Sequence, residues 1–282
     1  MVDNLQLQRF ELKYRITSAS ALGIREFVAC HLALDEFSVG KPDFSYENYS
    51  IYLDSDDYQL YWDVINGNMN RYKLRLRYYD DRPESPVFFE IKRRSDNAIL
   101  KKRAAVRRDA VALLLAGHLP EPHHLLSTKP EYLSAIQHFC RLMHDIGAQP
   151  RTRVGYLREA WVSREDNSVR VTMDRQVRSK EQNHGELSTD FAGAVAPFEP
   201  DVILEIKFTS RYPDWLRELV QAFGAVQCGA AKYADGVALM HGQEATGLSP
   251  IQEDLVEKFL RGRRVSRSIG SPAAKADFTY NE

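Results

Sequence analysis

Lysine and arginine recur at every second residue in several short stretches of this chain. Residues 72–79 carry Lys73, Arg75 and Arg77; residues 87–94 carry Glu90, Lys92 and Arg94; residues 99–107 carry Lys101 and Arg103. Side chains of an extended strand alternate between its two faces, so each set shares one face. Cations brought together in this way bind a polyanion. A guanidinium fork makes two parallel bonds to phosphate oxygens, and an ammonium acts as a point charge. Arg75 and Arg77 repel one another on their shared face, which favours an anion lying between them. Glu11 and Glu90 share strand faces with cations, and carboxylate oxygen is the hard ligand that Mg²⁺ or Mn²⁺ prefers. Glu11 and Glu90 equally suit the role of ion-pair partners that hold Lys13 and Lys92. Asp174 is a weaker candidate of the same kind.

Other chemistries find little support. His123, His124, His138 and His144 show no metal-ligand spacing and read as surface residues. There is no GxxxxGK[ST] loop, no dinucleotide GxGxxG and no Ser-His-Asp order. The basic strands lack an aromatic stacking platform, so nucleic acid is not an expected partner. Cys30, Cys140 and Cys228 are odd in number and far apart, as expected of reduced thiols in a cytoplasmic protein.

The elements that must position these residues follow from periodicity. The 282-residue chain is 44% apolar and 27% charged, enough for a substantial core. Its net charge of −1 hides local concentrations of cations, which point to a confined anion site. No apolar run reaches spanning length, and the start lacks the order of a secretory signal. Strands are expected at 9–16, 49–54, 72–79, 87–94, 99–107, 153–162, 168–178 and 202–208. Helices are expected from Thr17 or Ser18 to about Leu34, and over 56–65, 109–116, 130–146 and 215–223. The stretch 229–240 carries Lys232. A domain over 1–245 and a C-terminal helix and disordered tail over 246–282 complete the expected organisation.

A single strand with one charged face is ordinary in an antiparallel sheet. Here at least six strands have such a face, several mixing Glu with Lys or Arg, while the opposite faces hold Phe, Leu, Ile and Tyr. Periodicity leaves two α+β arrangements open: an open sheet with a solvated charged face, and a closed antiparallel barrel with a charged lumen and helices packed outside.

A resemblance favours the second. RFELKY (9–14) resembles the Glu-x-Lys signature of the triphosphate tunnel metalloenzymes. KLRLRYY (73–79), FFEIKRR (88–94), LKKRAAV (100–106), YLREAW (156–161), VRVTMD (169–174), LEIKF (204–208) and AKYADG (231–236) resemble, in this order, the VTC-domain polyphosphate polymerases. The resemblance runs from about Arg9 to Met240. It implies a tunnel-like barrel in which Lys13, Arg75, Arg77, Lys92, Lys101 and Lys207 grip phosphates, with Arg103 added by strand parity. It implies that Arg158, Arg170 and Lys232 act at the reacting phosphate, and that Glu205, with Glu11 or Glu90, holds Mn²⁺ or Mg²⁺. The implied reaction passes the γ-phosphate of ATP to a growing polyphosphate chain. Alternatives are a triphosphatase or cyclase on the same tunnel, or a non-catalytic sensor of polyphosphate or inositol polyphosphate. Family members in eukaryotes work beside membrane subunits, so a membrane-protein partner and a place at the inner face of a membrane are also implied. Where the family usually has Ser before the lysine of the last motif, this chain has Ala231.

Overall fold

The structure is a computed structural model and describes residues 9–95, 98–165, 168–209 and 211–242. The expected C-terminal helix and tail lie outside the described residues. Nine strands form one antiparallel sheet: β1 (Arg9–Ile16), β2 (Ala33–Leu34), β3 (Ser45–Asp54), β4 (Arg71–Tyr78), β5 (Val87–Ser95), β6 (Ala98–Val106), β7 (Gln149–Val162), β8 (Val169–Glu181) and β9 (Val202–Thr209). Their order is β1-β9-β8-β7-β3-β4-β5-β6, with the short β2 against β7. The helices are α1 (Ser18–Ala29), α2 (Gln59–Ile65), α3 (Val111–Leu115), α4 (Pro130–Asp145), α5 (Asp214–Ala222) and α6 (Lys232–Gly242).

Alternation sets which face each side chain takes. On β4, Leu74, Leu76 and Tyr78 are buried in an apolar cluster with Phe89, Ile91 and Val106 of β5 and β6 and Ile136 and Phe139 of α4. A second cluster unites β1, β8 and β9 with α1 and α5, and a third seats Tyr233 and Val237 of α6 against β3, β7 and β8. The apolar faces thus lie under helices and the charged faces point away from them, as the period of two requires.

Thr17 starts α1 by accepting a hydrogen bond from the Ser20 N–H. That helix ends at Ala29, short of Leu34, because Ala33 and Leu34 extend to pair with Val162 and Trp161.

The barrel expected from the sequence is not closed. No ladder joins β1 to β6 among the described residues, because each edge has found another partner. The Lys13 carbonyl accepts from the Cys228 N–H and Tyr14 bridges Gln227; the Ala105 carbonyl accepts from the Leu126 N–H and Val106 bridges Leu125. Short segments cover both edges, which removes the drive for the edges to pair with each other. The sheet is nevertheless strongly curled. Six strand steps separate β1 from β5 in the sheet order. In a flat sheet that is about 29 Å. Yet Glu11 Oε2 and Lys92 Nζ are 3.2 Å apart. The two walls meet through side chains where a closed barrel would use backbone hydrogen bonds.

Candidate functional site

The concave face of the curled sheet encloses a cavity of about 110 Å³ lined by Glu11, Lys13, Tyr52, Lys73, Arg75, Arg77, Lys92, Tyr156, Arg158, Glu205, Lys207, Ala231 and Lys232. The strand residues among them arrive by parity. Arg75 and Arg77 lie opposite Tyr52 and Ser50 of β3, Arg158 lies opposite Asp174 of β8, and Lys13 lies opposite Glu205 of β9. Lys232 comes from the first turn of α6.

Glu205 sits at the centre of the charge. Its Oε1 is 3.0 Å from Lys232 and 3.5 Å from Lys13; its Oε2 is 2.9 Å from Lys207 and 3.5 Å from Arg158. Burial pushes this carboxyl up, but Lys207, Lys232, Lys13 and Arg158 together outweigh it and hold the group well below the ordinary carboxylate range. Asp174 is fully buried; it accepts two hydrogen bonds from Arg158, at 2.6 and 2.7 Å, and lies 2.6 Å from Lys232. Its carboxyl too is depressed, burial being overcome by Arg158 and Lys232. The first turn of a helix is an unfavourable place for a cation. The two carboxylates compensate Lys232, whose pKa is raised by them against the effect of burial.

The placement of Lys232 is itself fixed. Tyr233 donates to Asp54 at 2.5 Å, and Asp54 also accepts from the N–H groups of Ser55, Leu60 and Tyr61. The Tyr233 ring stacks on Tyr52, with centroids 4.9 Å apart. Gly236 lets α6 approach β8 closely, since a Cβ there would run into Ser179.

A second ion-pair node lies on β4, β5 and β6. Glu90 is 1% exposed and meets Arg75 at 2.6 Å, Lys101 at 2.7 Å and Arg103 at 3.9 Å. Arg103 also lies over the Phe88 ring, 3.7 Å from its centroid. Arg77 donates to the Tyr156 hydroxyl at 2.9 Å. Tyr156 offers its ring to Arg158 and Lys232 at 5.2 and 5.0 Å.

The structure therefore brings together around one cavity Glu11, Lys13, Arg75, Arg77, Lys92, Arg158, Glu205, Lys207 and Lys232. Lys101, Arg103 and Glu90 stand beside it without lining it. Arg170 pairs with Asp35 at 2.8 Å and also lies off the lining. The repulsion expected between Arg75 and Arg77 is relieved by Glu90 and Tyr156, so it does not by itself require an anion. Sequence reasoning put Lys73 on the cationic face without naming it among the phosphate-gripping residues, passed over Tyr52 and Tyr156, and undervalued Asp174. Strand parity with Arg75, Arg158 and Arg170 is the signal that could have found Lys73, Tyr156 and Asp174.

Glu205 and Glu11 are carboxylates of the kind that hold Mg²⁺ or Mn²⁺ together with substrate phosphates. Among the described residues no group of three His, Cys, Asp or Glu side chains is placed to hold a metal ion alone. Both Glu205 oxygens are also covered by ammonium or guanidinium groups. The donor set fits a metal only as a partial ligand shell, to be completed by phosphate. Glu90, in contact with Arg75, Lys101 and Arg103, stands off the cavity lining.

The model of the VTC domain family matches residues 8–241. The vacuolar transporter chaperone complex subunit 2 of Schizosaccharomyces pombe is 23% identical over 280 residues, covering 83% of this chain and 38% of that protein. The chain thus spans about 38% of the length of this curated relative. Among solved structures, a putative adenylate cyclase from Bacillus halodurans has a TM-score of 0.43 at 14% identity, covering 80% of this chain and 96% of its own. The PH1819 protein of Pyrococcus horikoshii has a TM-score of 0.41 at 12% identity, covering 82% and 99%.

Proposed function

We propose that this chain, which belongs to the VTC-domain family, binds linear phosphate chains in the cavity of its curled sheet and extends them with the γ-phosphate of ATP. The observation that supports this most directly is the convergence of eight cations, Lys13, Lys73, Arg75, Arg77, Lys92, Arg158, Lys207 and Lys232, on one cavity. That density of positive charge suits a ligand with a charge on every unit.

In this reading the terminal oxygen of the chain attacks the γ-phosphorus of ATP, the bond to the β-phosphate oxygen breaks, and ADP leaves with the electron pair. Little covalent help from the protein is needed, since positioning and charge stabilisation carry phosphoryl transfer. Arg158 and Lys232 turn from Asp174 and Glu205 toward the equatorial oxygens of the transferring group, and Arg77 and Arg75 fix the neighbouring phosphates. Mn²⁺ or Mg²⁺, held by Glu205 with Glu11, would add charge neutralisation between phosphates. Incubation with ATP and Mn²⁺, followed by gel analysis and phosphorus NMR, tests the activity. Long-chain polyphosphate together with ADP is the expected product, and free phosphate alone would assign hydrolysis.

A second reading, a non-catalytic polyphosphate sensor, is favoured by one observation. Ala231 leaves the N-terminus of α6 without a side-chain hydroxyl beside Lys232. Binding without turnover in the same assay would select it. No helix among the described residues is long and apolar enough to cross a membrane. The relative's printed role as a complex subunit extends the proposal to a membrane-protein partner that would hold this chain at the cytoplasmic face.

A further inference from the structure

Of the eight cations that line the cavity, six have a carboxylate within 4 Å. Lys13 has Glu11 and Glu205, Arg75 has Glu90, Lys92 has Glu11, Arg158 and Lys232 have Asp174 and Glu205, and Lys207 has Glu205. Two have none among the described residues: Lys73 and Arg77, both on β4. Arg77 is 7% exposed, and its Nε–H is buried with no hydrogen-bond partner. Among the described residues its side-chain hydrogen bonds go to the hydroxyls of Tyr156 and Ser50. Lys73 stands opposite Lys92 in the sheet register, on the same face as Arg71 and Arg75. Charges without a directly paired carboxylate in a partly enclosed site are costly, and an anion placed beside both would lower that cost.

We propose that Lys73 and Arg77 together read the length of a bound phosphate chain. Arg77 grips the segment that any triphosphate supplies, and Lys73 engages phosphates that only a longer chain places beside it. The inference rests on the phosphate-chain reading of the cavity and goes beyond it by naming which linear anions the site prefers.

The spacing carries the argument. Four residues of extended strand put the two Cα atoms about 13 Å apart. Arg75 lies midway but is already committed to Glu90. A single small anion cannot neutralise both ends of such a row, whereas a linear chain lying along β4 neutralises both and passes Arg75 on the way. Lys92 and Lys13 lie around Lys73 and contribute their charge to the same end. Burial and these neighbouring cations lower the Lys73 pKa to about 8, opposed by Tyr52. A bound phosphate would relieve this.

Titration calorimetry at pH 7 with tripolyphosphate and with a long linear polyphosphate separates the roles. Wild type is expected to prefer the long chain. Lys73→Met is expected to weaken the long chain about tenfold, the loss of one charge-assisted contact, and to leave tripolyphosphate within about twofold. Arg77→Met is expected to weaken both ligands. Among the described residues Lys73 has no carboxylate to leave unsatisfied, and circular dichroism with the Lys73→Gln variant checks that folding is intact. Equal losses for both ligands in the Lys73 variants would place Lys73 in the common triphosphate site and overturn length reading. No loss for either ligand would overturn its contact with phosphate. Wild type that binds neither ligand would instead overturn the phosphate-chain reading, and the inference with it.

Discussion

Lys232 and Asp174 form an ion pair of 2.6 Å that ties the first turn of α6 to the middle of β8. Asp174 is fully buried, and its other oxygen is occupied by Arg158. Asp174→Ala leaves two buried cations short of a partner and is expected to cost about 3–5 kcal/mol of stability. Urea denaturation measures it. A loss below 1 kcal/mol would mean that Glu205 alone suffices for both cations.

Arg75 and Arg77 sit two residues apart but answer to different partners, so their variants separate. Arg77→Ala removes a cation with no carboxylate and is expected to weaken tripolyphosphate binding by about 1.5–3 kcal/mol. Arg75→Ala strips Glu90 of its shortest contact and is expected to lower the unfolding free energy by about 3 kcal/mol. Calorimetric binding and chemical denaturation of both variants check the pair. The reverse assignment would show that Glu90 releases Arg75 to the ligand.

The cations around Glu205 couple metal to phosphate. Mn²⁺ alone must displace an ammonium or guanidinium from either carboxylate oxygen, so it is expected to bind weakly without tripolyphosphate and more tightly with it. Lys207→Met exposes Oε2 and is expected to strengthen binding of Mn²⁺ alone. Glu205→Gln is expected to keep the fold and anion binding while losing metal-dependent turnover. Electron paramagnetic resonance of free Mn²⁺ reads each case. Tight Mn²⁺ binding to unliganded wild type would show that the lysines do not compete.

Acid should loosen the seam between the two walls. Burial raises the Glu11 carboxyl, but Lys207, Lys92 and Lys13 outweigh it and bring it from 4.5 to about 2. A depressed carboxylate contributes its stability above its unfolded pKa and loses it as pH falls through the folded value. The window is therefore pH 4.5 down to 2, and the contribution is about 3 kcal/mol. Glu11→Gln is expected to flatten the stability profile over that range. An unchanged slope would show that Glu11 has no such role.

Alkali should weaken binding of long chains. Lys73, with a pKa of about 8, loses its charge as pH rises from 7 to 9. Tyr52 also titrates near 8: burial raises its pKa, but Arg75, Lys73 and Arg77 outweigh it. Both changes subtract positive charge from the cavity. Lys101, lowered to about 8 by burial against Glu90, adds to the loss. The Lys73→Met variant is expected to show a shallower decline in affinity over this range by calorimetry.

Much of the cavity was legible because a strand has only two faces. Once Arg75 was assigned inward, Leu74 and Leu76 had to lie under a helix, and both are fully buried there. The same rule put Lys73 on the face of Arg75 and Arg77, and applied to Asp174 it would have placed that residue in the site too. It was not legible that Arg170 would turn to Asp35, since that carboxylate lies 135 residues away in sequence. Closure was not legible either. Periodicity fixes the face of Lys13 and Ala105 but not whether their backbone groups pair with each other or with Cys228 and Leu126.

That missing ladder between β1 and β6 matters for polymers without ends. A closed cylinder admits a chain only by threading, so a cyclic phosphate could never surround itself with the wall. Among the described residues the walls meet through the side chains of Glu11 and Lys92, with no backbone ladder between them. On the proposed phosphate-chain reading, a seam of this kind would admit a chain at its middle without threading an end.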